Sequence, residues 1–266
     1  MATATQATEH YVSRPDGRVF YTKVGRGEPL LFLHNIELSS FIWRKCIDKF
    51  ATHFTCYLID MPGHDRSDIP TQKYSIGDYG RAILDVMDTV GIKQGSIVGS
   101  HGGCVVAVEV AAQRPDRVRK LVLDGIPYWN LRVGRLVFER FWVPRFTDTT
   151  SYDVAVYPLK TWEEEVKKSP NLDREHWEKE EEISRRSRRW IRLSFEALTE
   201  YDVEAAGPRI KAPTLLVNGE QDVLRRGEQK AKDAIRSSQL KVVPGCRAPH
   251  WDKPDEFAKL ALDFLR

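Results

Sequence analysis

The sequence lacks the features that mark secreted, membrane-spanning and nucleic-acid-binding proteins. Its four cysteines, Cys46, Cys56, Cys104 and Cys246, show neither a metal-ligand spacing nor a dense disulfide pattern. No apolar run is long enough to cross a bilayer, and the Thr/Ala-rich stretch 1–10 has no apolar core segment. The 41 basic and 38 acidic residues leave a net charge of only +3, without a basic, aromatic-rich stretch. We therefore expect a cytoplasmic protein with reduced thiols that binds neither nucleic acid nor membrane.

Most of the chain alternates between short apolar segments and amphipathic segments. Strands are predicted at 29–33, 54–59, 119–123, 214–218 and 240–243, with an edge strand at 19–23. Helices are predicted at 75–90, 178–198, 228–235 and 255–265. Alternating strands and helices with short links predict an α/β fold, with a mostly parallel, doubly wound sheet covered by helices on both faces.

Residues 128–206 differ from the rest of the chain in composition and pattern. They are charged, aromatic and helical in period, and no strand pattern occurs among them. We predict a helical lid over 128–206 on a core domain formed by 1–127 and 207–266. The arginine-rich stretch 185–189 follows glutamates at i,i+4 spacing and is interpreted as a solvated helix face. Aromatic residues of the lid are candidates to line a pocket, although core packing explains most of them equally well: Trp129, Phe138, Phe141, Trp142 and Trp190.

The stretch 96–110 combines an apolar strand, a glycine-rich turn and a small-residue helix. Gly99, Gly102 and Gly103 permit a turn in which larger side chains would collide with the strand or with the first turn of the helix. Such a turn lifts one side chain above the end of a parallel sheet, beside the free amides of a helix N-terminus. Those amides can stabilise a developing negative charge.

Taken in chain order, these features resemble the α/β-hydrolase fold superfamily over nearly the full chain. The resemblance implies a nucleophile in the glycine-rich turn, an acid after a late strand and a histidine after the last strand. Asp222 is the candidate acid. Segments 31–34 and 39–44 are similar to the oxyanion-loop region of haloalkane dehalogenases. Segment 249–254 is similar to that of hydrolases that cleave carbon–carbon bonds of ring-cleavage products. The resemblance also rests on the segments 60–68, 99–103 and 219–222.

The glycine-rich turn departs from the family pattern. Its middle residue, where the nucleophile is usual, is the His101 of Gly99-Ser100-His101-Gly102-Gly103. The interval from Gly91 to His101 is ten residues, the usual spacing to the nucleophile in such proteins. Ser100 stands one position too early and requires a deletion before it and an insertion after it. The spacing therefore favours His101 and leaves Ser100 as the alternative.

The position of the catalytic base also departs from the family pattern. Counting back from Lys253-Pro254 places the usual catalytic histidine on Arg247, whose guanidinium cannot act as a base at neutral pH. Counting forward from Asp222 reaches His250 instead. His250 either turns inward towards the site or caps the closing helix.

The oxyanion loop after His34 is the third departure. Asn35 replaces a common glycine and Glu37 replaces a common proline. A carboxylate that points into this loop opposes the negative charge that acyl transfer develops. We expect His34, Asn35 and Gly102 to surround the substrate oxygen.

These departures argue against an ordinary serine esterase. We predict a hydrolase or lyase with an altered triad, in which His101 is general base or nucleophile and Asp222 orients it. Arg247 is expected to hold a carboxylate or another anionic oxygen of a small carbonyl- or carboxylate-bearing substrate.

Two alternatives stay open. One is an ordinary serine hydrolase that uses Ser100, His250 and Asp222. The other is a ligand-binding member of the fold without catalysis. We expect no metal and no organic cofactor, because the sequence has no ligand cluster and the glycine turn lacks dinucleotide-binding spacing.

Overall fold

The computed structural model describes residues 6–145, 161–168 and 173–266. Residues 146–160 and 169–172 of the predicted lid lie outside the described residues, as do residues 1–5. The division into a core domain and a lid over 128–206 therefore stays a prediction.

Within the described residues, eight strands form one sheet in the order β1-β2-β4-β3-β5-β6-β7-β8. Their bounds are β1 Thr8–Arg14, β2 Gly17–Gly25, β3 Glu28–Leu33, β4 Phe54–Ile59, β5 Gly95–Ser100, β6 Val118–Asp124, β7 Thr214–Gly219 and β8 Ser238–Val243. The pairs β1–β2 and β2–β4 are antiparallel, and the other neighbouring pairs are parallel. The predicted α/β class with a mostly parallel sheet is confirmed.

The helices fall between these strands and in the segment after β6. They are α1 Ile47–Ala51, α2 Ile76–Thr89, α3 Gly102–Gln113, α4 Leu131–Val137, α5 Trp162–Lys168, α6 Arg174–Thr199, α7 Val203–Ala206, α8 Glu228–Ala234, α9 Pro249–Asp252 and α10 Pro254–Leu265. A capping box between Ser75 and Asp78 satisfies free amides at the start of α2. The described part of 128–206 contains helical turns and no strand.

The strand predicted at 19–23 is present as part of β2, but its predicted place at the edge is wrong, because β2 lies between β1 and β4 and the edge strand is β1. Only Val12 of the seven β1 residues is buried. A strand with a single buried residue has no clear alternation of apolar and polar side chains, so hydrophobic patterning does not detect it.

The two faces of the sheet bury separate hydrophobic clusters. In β3, Leu31 and Leu33 join the cluster that α2, α3 and α8 cover, whereas Leu30 and Phe32 join the cluster that α1 and α10 cover. Side chains of a strand alternate between faces, so a strand that is apolar at every position needs helices on both sides.

The α6 helix binds the core through one face. Ser187 Oγ accepts a hydrogen bond from the Asp65 N–H at 2.9 Å, and Trp190 Nε1 donates to the Tyr79 hydroxyl at 2.6 Å. The Ser184 hydroxyl donates to the backbone carbonyl of Glu37 at 3.3 Å. This buried side of α6 shows that the stretch 185–189 is only partly the solvated face predicted for it.

Candidate active site

The carboxyl ends of the parallel strands bring the predicted site residues to one edge of the sheet. Leu33 pairs with Gly99, and Ser100 pairs with Asp124. Residues that directly follow these strands are therefore neighbours, at the edge where open α/β sheets bind their ligands.

His101 occupies the turn between β5 and α3. Its backbone has φ 45° and ψ −110°, a conformation that costs a residue with a Cβ about 1–3 kcal/mol and concentrates at functional sites. Gly103 makes this turn possible, since a Cβ there would lie 2.3 Å from the carbonyl oxygen of Leu33. The turn leaves 28% of the His101 side chain exposed.

The imidazole of His101 contacts the carboxylate of Asp222, which the turn after β7 carries. His101 Nε2 lies 3.1 Å from Asp222 Oδ2, and the Asp222 side chain is 2% exposed. The other carboxylate oxygen accepts the Leu224 N–H at 2.9 Å, which fixes the orientation of Asp222. Gly125 closes one side of this pair, because a Cβ at that position would lie 2.4 Å from His101 Cδ2.

The electrostatic surroundings favour the charged forms of both partners. Burial opposes the imidazolium, but the hydrogen bond and charge of Asp222 outweigh it and raise the pKa of His101, with further contributions from Asp124 and Glu37. Burial likewise opposes the carboxylate of Asp222. The hydrogen bond and charge of His101 nevertheless hold the pKa of Asp222 below its usual value.

Ser100 is the last residue of β5 and is 1% exposed. Its hydroxyl is buried without a hydrogen-bond partner among the described residues. A serine nucleophile needs a base within hydrogen-bond reach, so this environment does not supply what the serine-hydrolase alternative requires.

His250 turns inward, one of the two orientations that the sequence leaves open, and it binds Asp124, which is not among the predicted site residues. Its Nδ1 lies 2.5 Å from Oδ2 of Asp124, and both side chains are buried. The rings of Trp43 and Phe257 pack around it, with centroids 5.0 Å and 6.2 Å from that of His250. The predicted alternative of a Ser100, His250 and Asp222 set is thus not assembled: His250 binds Asp124.

The sequence contains a signal for Asp124 as a site residue. It is an acidic residue directly after the apolar run of β6, at the carboxyl end of a parallel strand. Side chains at these ends face the ligand-binding edge of the sheet, so an aspartate there is a candidate site residue.

Arg247 is exposed and lies in the turn before α9. Its backbone N–H donates to Asp252 Oδ2 at 2.9 Å, and its carbonyl oxygen packs against Gly219. The charge of Arg247 is the smallest of the named factors that lower the pKa of Asp222.

His34 holds the oxyanion loop instead of facing a substrate. Its Nδ1 donates to the Asn35 carbonyl at 2.6 Å, and its Nε2 accepts the Met61 N–H at 2.9 Å. Burial lowers the pKa of His34 to about 4, which keeps the ring neutral. Because both ring nitrogens are occupied, the predicted direct contact of His34 with substrate is not available.

The remaining part of this loop packs on the start of α3. A Cβ at Gly102 would lie 2.7 Å from Ile36 Cγ1, so the glycine allows the loop to approach the helix. Gly102 N–H belongs to the first turn of α3 and lacks an acceptor within the helix. The side-chain oxygen of half-buried Asn35 is itself buried and has no hydrogen-bond partner among the described residues.

Two of the lid aromatic residues that are pocket candidates, Trp129 and Trp190, lie in packed interiors. Trp190 is 3% exposed and covers Gly63, whose Cβ would come within 2.0 Å of the indole. Trp129 is 8% exposed, and its carbonyl accepts N–H groups at the start of α7. Packing thus replaces the predicted pocket-lining role for both. A surface depression of about 460 Å³ lies elsewhere, lined by Leu131, Arg132, Arg135, Leu136 and Glu139.

Among the described residues, no group of three or more His, Cys, Asp or Glu side chains is arranged to hold a metal ion. Among the helices in that part of the chain, none is long and apolar enough to cross a membrane.

The sheet order and the strand–turn–helix at His101 define an α/β hydrolase architecture. The family model described as alpha/beta hydrolase fold matches residues 28–254, and the chain belongs to this family. A solved structure of a hydrolase from Pseudomonas aeruginosa PA01 superposes with a TM-score of 0.83 at 21% identity, covering 97% of this chain and 98% of that one.

Two curated relatives match over nearly their whole length. The 2-hydroxy-6-oxo-6-phenylhexa-2,4-dienoate hydrolase of Comamonas testosteroni is 27% identical, over 94% of this chain and 92% of the relative. The pimeloyl-[acyl-carrier protein] methyl ester esterase of Nitrosospira multiformis is 24% identical, over 93% and 98%. Both relatives are hydrolases.

Proposed function

We propose that this chain is an enzyme of hydrolase or lyase type in which His101 acts as general base or nucleophile on a small carbonyl- or carboxylate-bearing substrate. The observation that supports it is the contact of 3.1 Å between His101 Nε2 and Asp222 Oδ2 at the turn from β5 to α3. A histidine that is partly exposed, strained and held by a buried carboxylate has the features of a catalytic base.

The hydrogen bond to Asp222 determines which ring atom of His101 reacts. An ionised carboxylate only accepts hydrogen bonds, so in the neutral ring Nε2 carries the proton and Nδ1 carries the lone pair. Nδ1 then takes a proton from water or from a carbon next to a carbonyl, or it attacks the carbonyl carbon. Asp222 stabilises the imidazolium that proton transfer to Nδ1 forms.

The start of α3 supplies hydrogen-bond donors beside this base. The N–H groups of Gly102 and Gly103 belong to the first turn, where backbone donors have no helical acceptor. Such donors stabilise negative charge on a substrate oxygen when the site excludes water. Chemistry that charges the imidazole positively also agrees with the nearby carboxylates of Asp124 and Glu37, which raise the pKa of His101.

Two observations support the proposed substrate class: the substrates for which the relatives are named, and the charge of Arg247. The Comamonas relative is named for a substrate with a ketone and a carboxylate, and the Nitrosospira relative for a methyl ester. Arg247 is a planar, permanently charged donor that is suited to a carboxylate, and its charge acts on Asp222. We therefore assign a small substrate with a carbonyl, held by Arg247 through an anionic group.

The test is turnover of a panel that contains 2-hydroxy-6-oxo-6-phenylhexa-2,4-dienoate and small methyl esters. For a compound that the wild type converts, His101→Ala is expected to lower kcat by about 10²–10⁴-fold, the usual contribution of a general base. Asp222→Asn is expected to lower kcat as well, because the His101 ring loses its charged partner. Ser100→Ala is the matched control next in sequence and is expected to retain activity.

Each opposite outcome identifies another function. Loss of turnover in Ser100→Ala with retention in His101→Ala would establish an ordinary serine hydrolase. Saturable binding of these compounds to the wild type, without any turnover, would establish a ligand-binding member of the fold.

A further inference from the structure

Asp222 lies between β7 and a short 3₁₀ helix, Val223–Gly227, which α8 follows. Its carboxylate caps this 3₁₀ helix, because Oδ1 accepts the Leu224 N–H at 2.9 Å. The other oxygen, Oδ2, contacts His101. The carboxylate therefore points at His101 only while the 3₁₀ helix keeps its place beside β7.

Glu228, the first residue of α8, joins β7 to the 3₁₀ helix. Its Oε2 accepts hydrogen bonds from Asn218 Nδ2 at 2.8 Å and from Arg225 Nε at 2.9 Å, and its Oε1 accepts Arg225 Nη2 at 2.8 Å. The contact with Arg225 is thus bidentate, the geometry that adds most to the strength and direction of an ion pair. Asn218 belongs to β7 and is 2% exposed, so a single carboxylate connects the buried strand with the residues after Asp222.

Arg225 also contacts the chain before Asp222. Its Nη1 donates to the backbone carbonyl of Glu220 at 3.1 Å, and Glu220 Oε2 accepts the Gly245 N–H at 2.8 Å. A guanidinium has five N–H donors in a rigid plane, so it can bind several acceptors at fixed angles. The side chain that Glu228 orients therefore binds the chain on both sides of Asp222.

We propose that Glu228 is a positioning residue of the candidate site, which fixes the turn of Asp222 through Arg225 and Asn218 so that the carboxylate faces His101. The proposal deepens the proposed function and rests on it, since Glu228 acts only through the pair of His101 and Asp222.

The hydrogen bonds of Glu228, and not its charge, favour this arrangement. The charge of Asp222 opposes the ionisation of Glu228, as does burial. The hydrogen bond from Arg225, with the bond from Asn218 and the charge of Arg225, nevertheless holds the pKa of Glu228 below its usual value. Glu228 is therefore an ionised acceptor that is bound from two directions, and its effect on Asp222 is geometric.

The groups around His101 decide what a titration of its ring reports. The charged and titratable side chains that face the pair of His101 and Asp222 from the other elements are unchanged in a Glu228 variant: Asp124, Glu37, His34, Arg247 and His250. A contacting carboxylate raises the pKa of an imidazole by about 1–3 units. A large change in the His101 midpoint therefore reports its contact with Asp222.

The experiment is a pH titration of the histidine ring nitrogens by ¹⁵N NMR on the full chain. In the wild type, the neutral ring of His101 is expected to carry its proton on Nε2, which faces Asp222. In Glu228→Ala, the His101 midpoint is expected to fall by about one pH unit, because the contact that stabilises the imidazolium is weakened. The neutral ring is expected to become a mixture of tautomers.

Two further variants separate position from charge and from general loss of packing. Glu228→Gln keeps an oxygen that accepts from Arg225, so both readouts are expected to stay closer to the wild type than in Glu228→Ala. Glu196→Ala is the matched control. Glu196 pairs with Arg192 in α6, and its side chain is 14% exposed against 16% for Glu228. This variant is expected to leave the His101 midpoint and tautomer unchanged.

Arg225→Met covers the case in which Glu228→Ala does not fold. Removal of a positive charge near Asp222 by itself favours the imidazolium and raises the His101 midpoint, whereas loss of the turn's position lowers it. The proposal predicts a lower midpoint in this variant.

Three results would overturn the proposal. One is a folded Glu228→Ala protein with the wild-type His101 midpoint and tautomer. Another is an equal shift in Glu228→Gln and Glu228→Ala, which would assign the effect to charge. The third is an unchanged or raised midpoint in Arg225→Met. None of these measurements uses turnover, so the failure of this proposal is distinguishable from the failure of the proposed function.

Discussion

Gly125 lies directly against the ring of His101. Its φ is +69°, and an added Cβ would lie 2.4 Å from His101 Cδ2 and 2.7 Å from Asp222 Oδ2. Both the backbone conformation and the space require glycine at this position. The pair of His101 and Asp222 thus depends on a residue that has no side chain.

Gly125→Ala is expected to push the His101 ring away from Asp222 and to lower kcat on any converted substrate at least tenfold. The matched control is Gly91→Ala, at φ +77° with no atom within 4 Å of the added Cβ. Both variants carry the cost of a left-handed residue, about 1–2 kcal/mol of unfolding free energy. Urea unfolding measures that cost. Equal activity losses in the two variants would contradict a steric role for Gly125.

The pH dependence of turnover follows from the His101–Asp222 pair. The pKa of His101 is raised above its usual value of 6.5, and only the neutral ring accepts a proton. We expect kcat/KM to increase with pH through a midpoint above 6.5. In Asp222→Asn the midpoint is expected to shift to lower pH, because the partner that stabilises the imidazolium is neutral. A midpoint that stays in place in this variant would exclude His101 as the titrating group.

Acid is expected to destabilise the fold through two buried histidines. Burial lowers the pKa of His34 to about 4, and burial with the charge of His34 lowers that of His64 to about 3. The unfolded chain takes up these protons near pH 6.5, so the free energy of unfolding decreases as pH falls from 6.5 towards 3.

At about 1.4 kcal/mol per pKa unit, the loss amounts to several kcal/mol for the two rings together. His64→Gln removes one titrating ring and is expected to lose less unfolding free energy between pH 7.5 and 4.5 than the wild type. Urea unfolding at the two pH values measures both losses. An equal decrease in the two proteins would show that His64 does not contribute to acid sensitivity.

The contact between α6 and the core is expected to show energetic coupling. Trp190 Nε1 donates to the Tyr79 hydroxyl at 2.6 Å, and both side chains are buried. A double-mutant cycle with Trp190→Phe and Tyr79→Phe is expected to give a coupling of about 0.5–1.5 kcal/mol in the free energy of unfolding. Strictly additive single effects would contradict a stabilising bond. Ser194 also binds this hydroxyl, so Ser194→Ala tests the second partner.

The sequence by itself determined the architecture, because local periodicity reports burial. The apolar run 54–59 coincides with β4, and the amphipathic stretch 75–90 contains α2, which begins after Ser75. The glycines of the stretch 96–110 indicated a turn of the kind that places His101 between β5 and α3. Strand β1 was not predicted, because a strand with one buried residue shows no alternation of apolar and polar side chains.

Only the tertiary structure decided which histidine meets which carboxylate. His101 binds Asp222 across 121 positions, and His250 binds Asp124 across 126. These distances in sequence carry no periodic signal, and counting along motifs connected His250 with Asp222 instead. The register of the parallel strands sets the partners, because it brings the ends of β5, β6 and β7 to one edge. The sequence shows which histidines and carboxylates are present, whereas the packed sheet decides which of them form pairs.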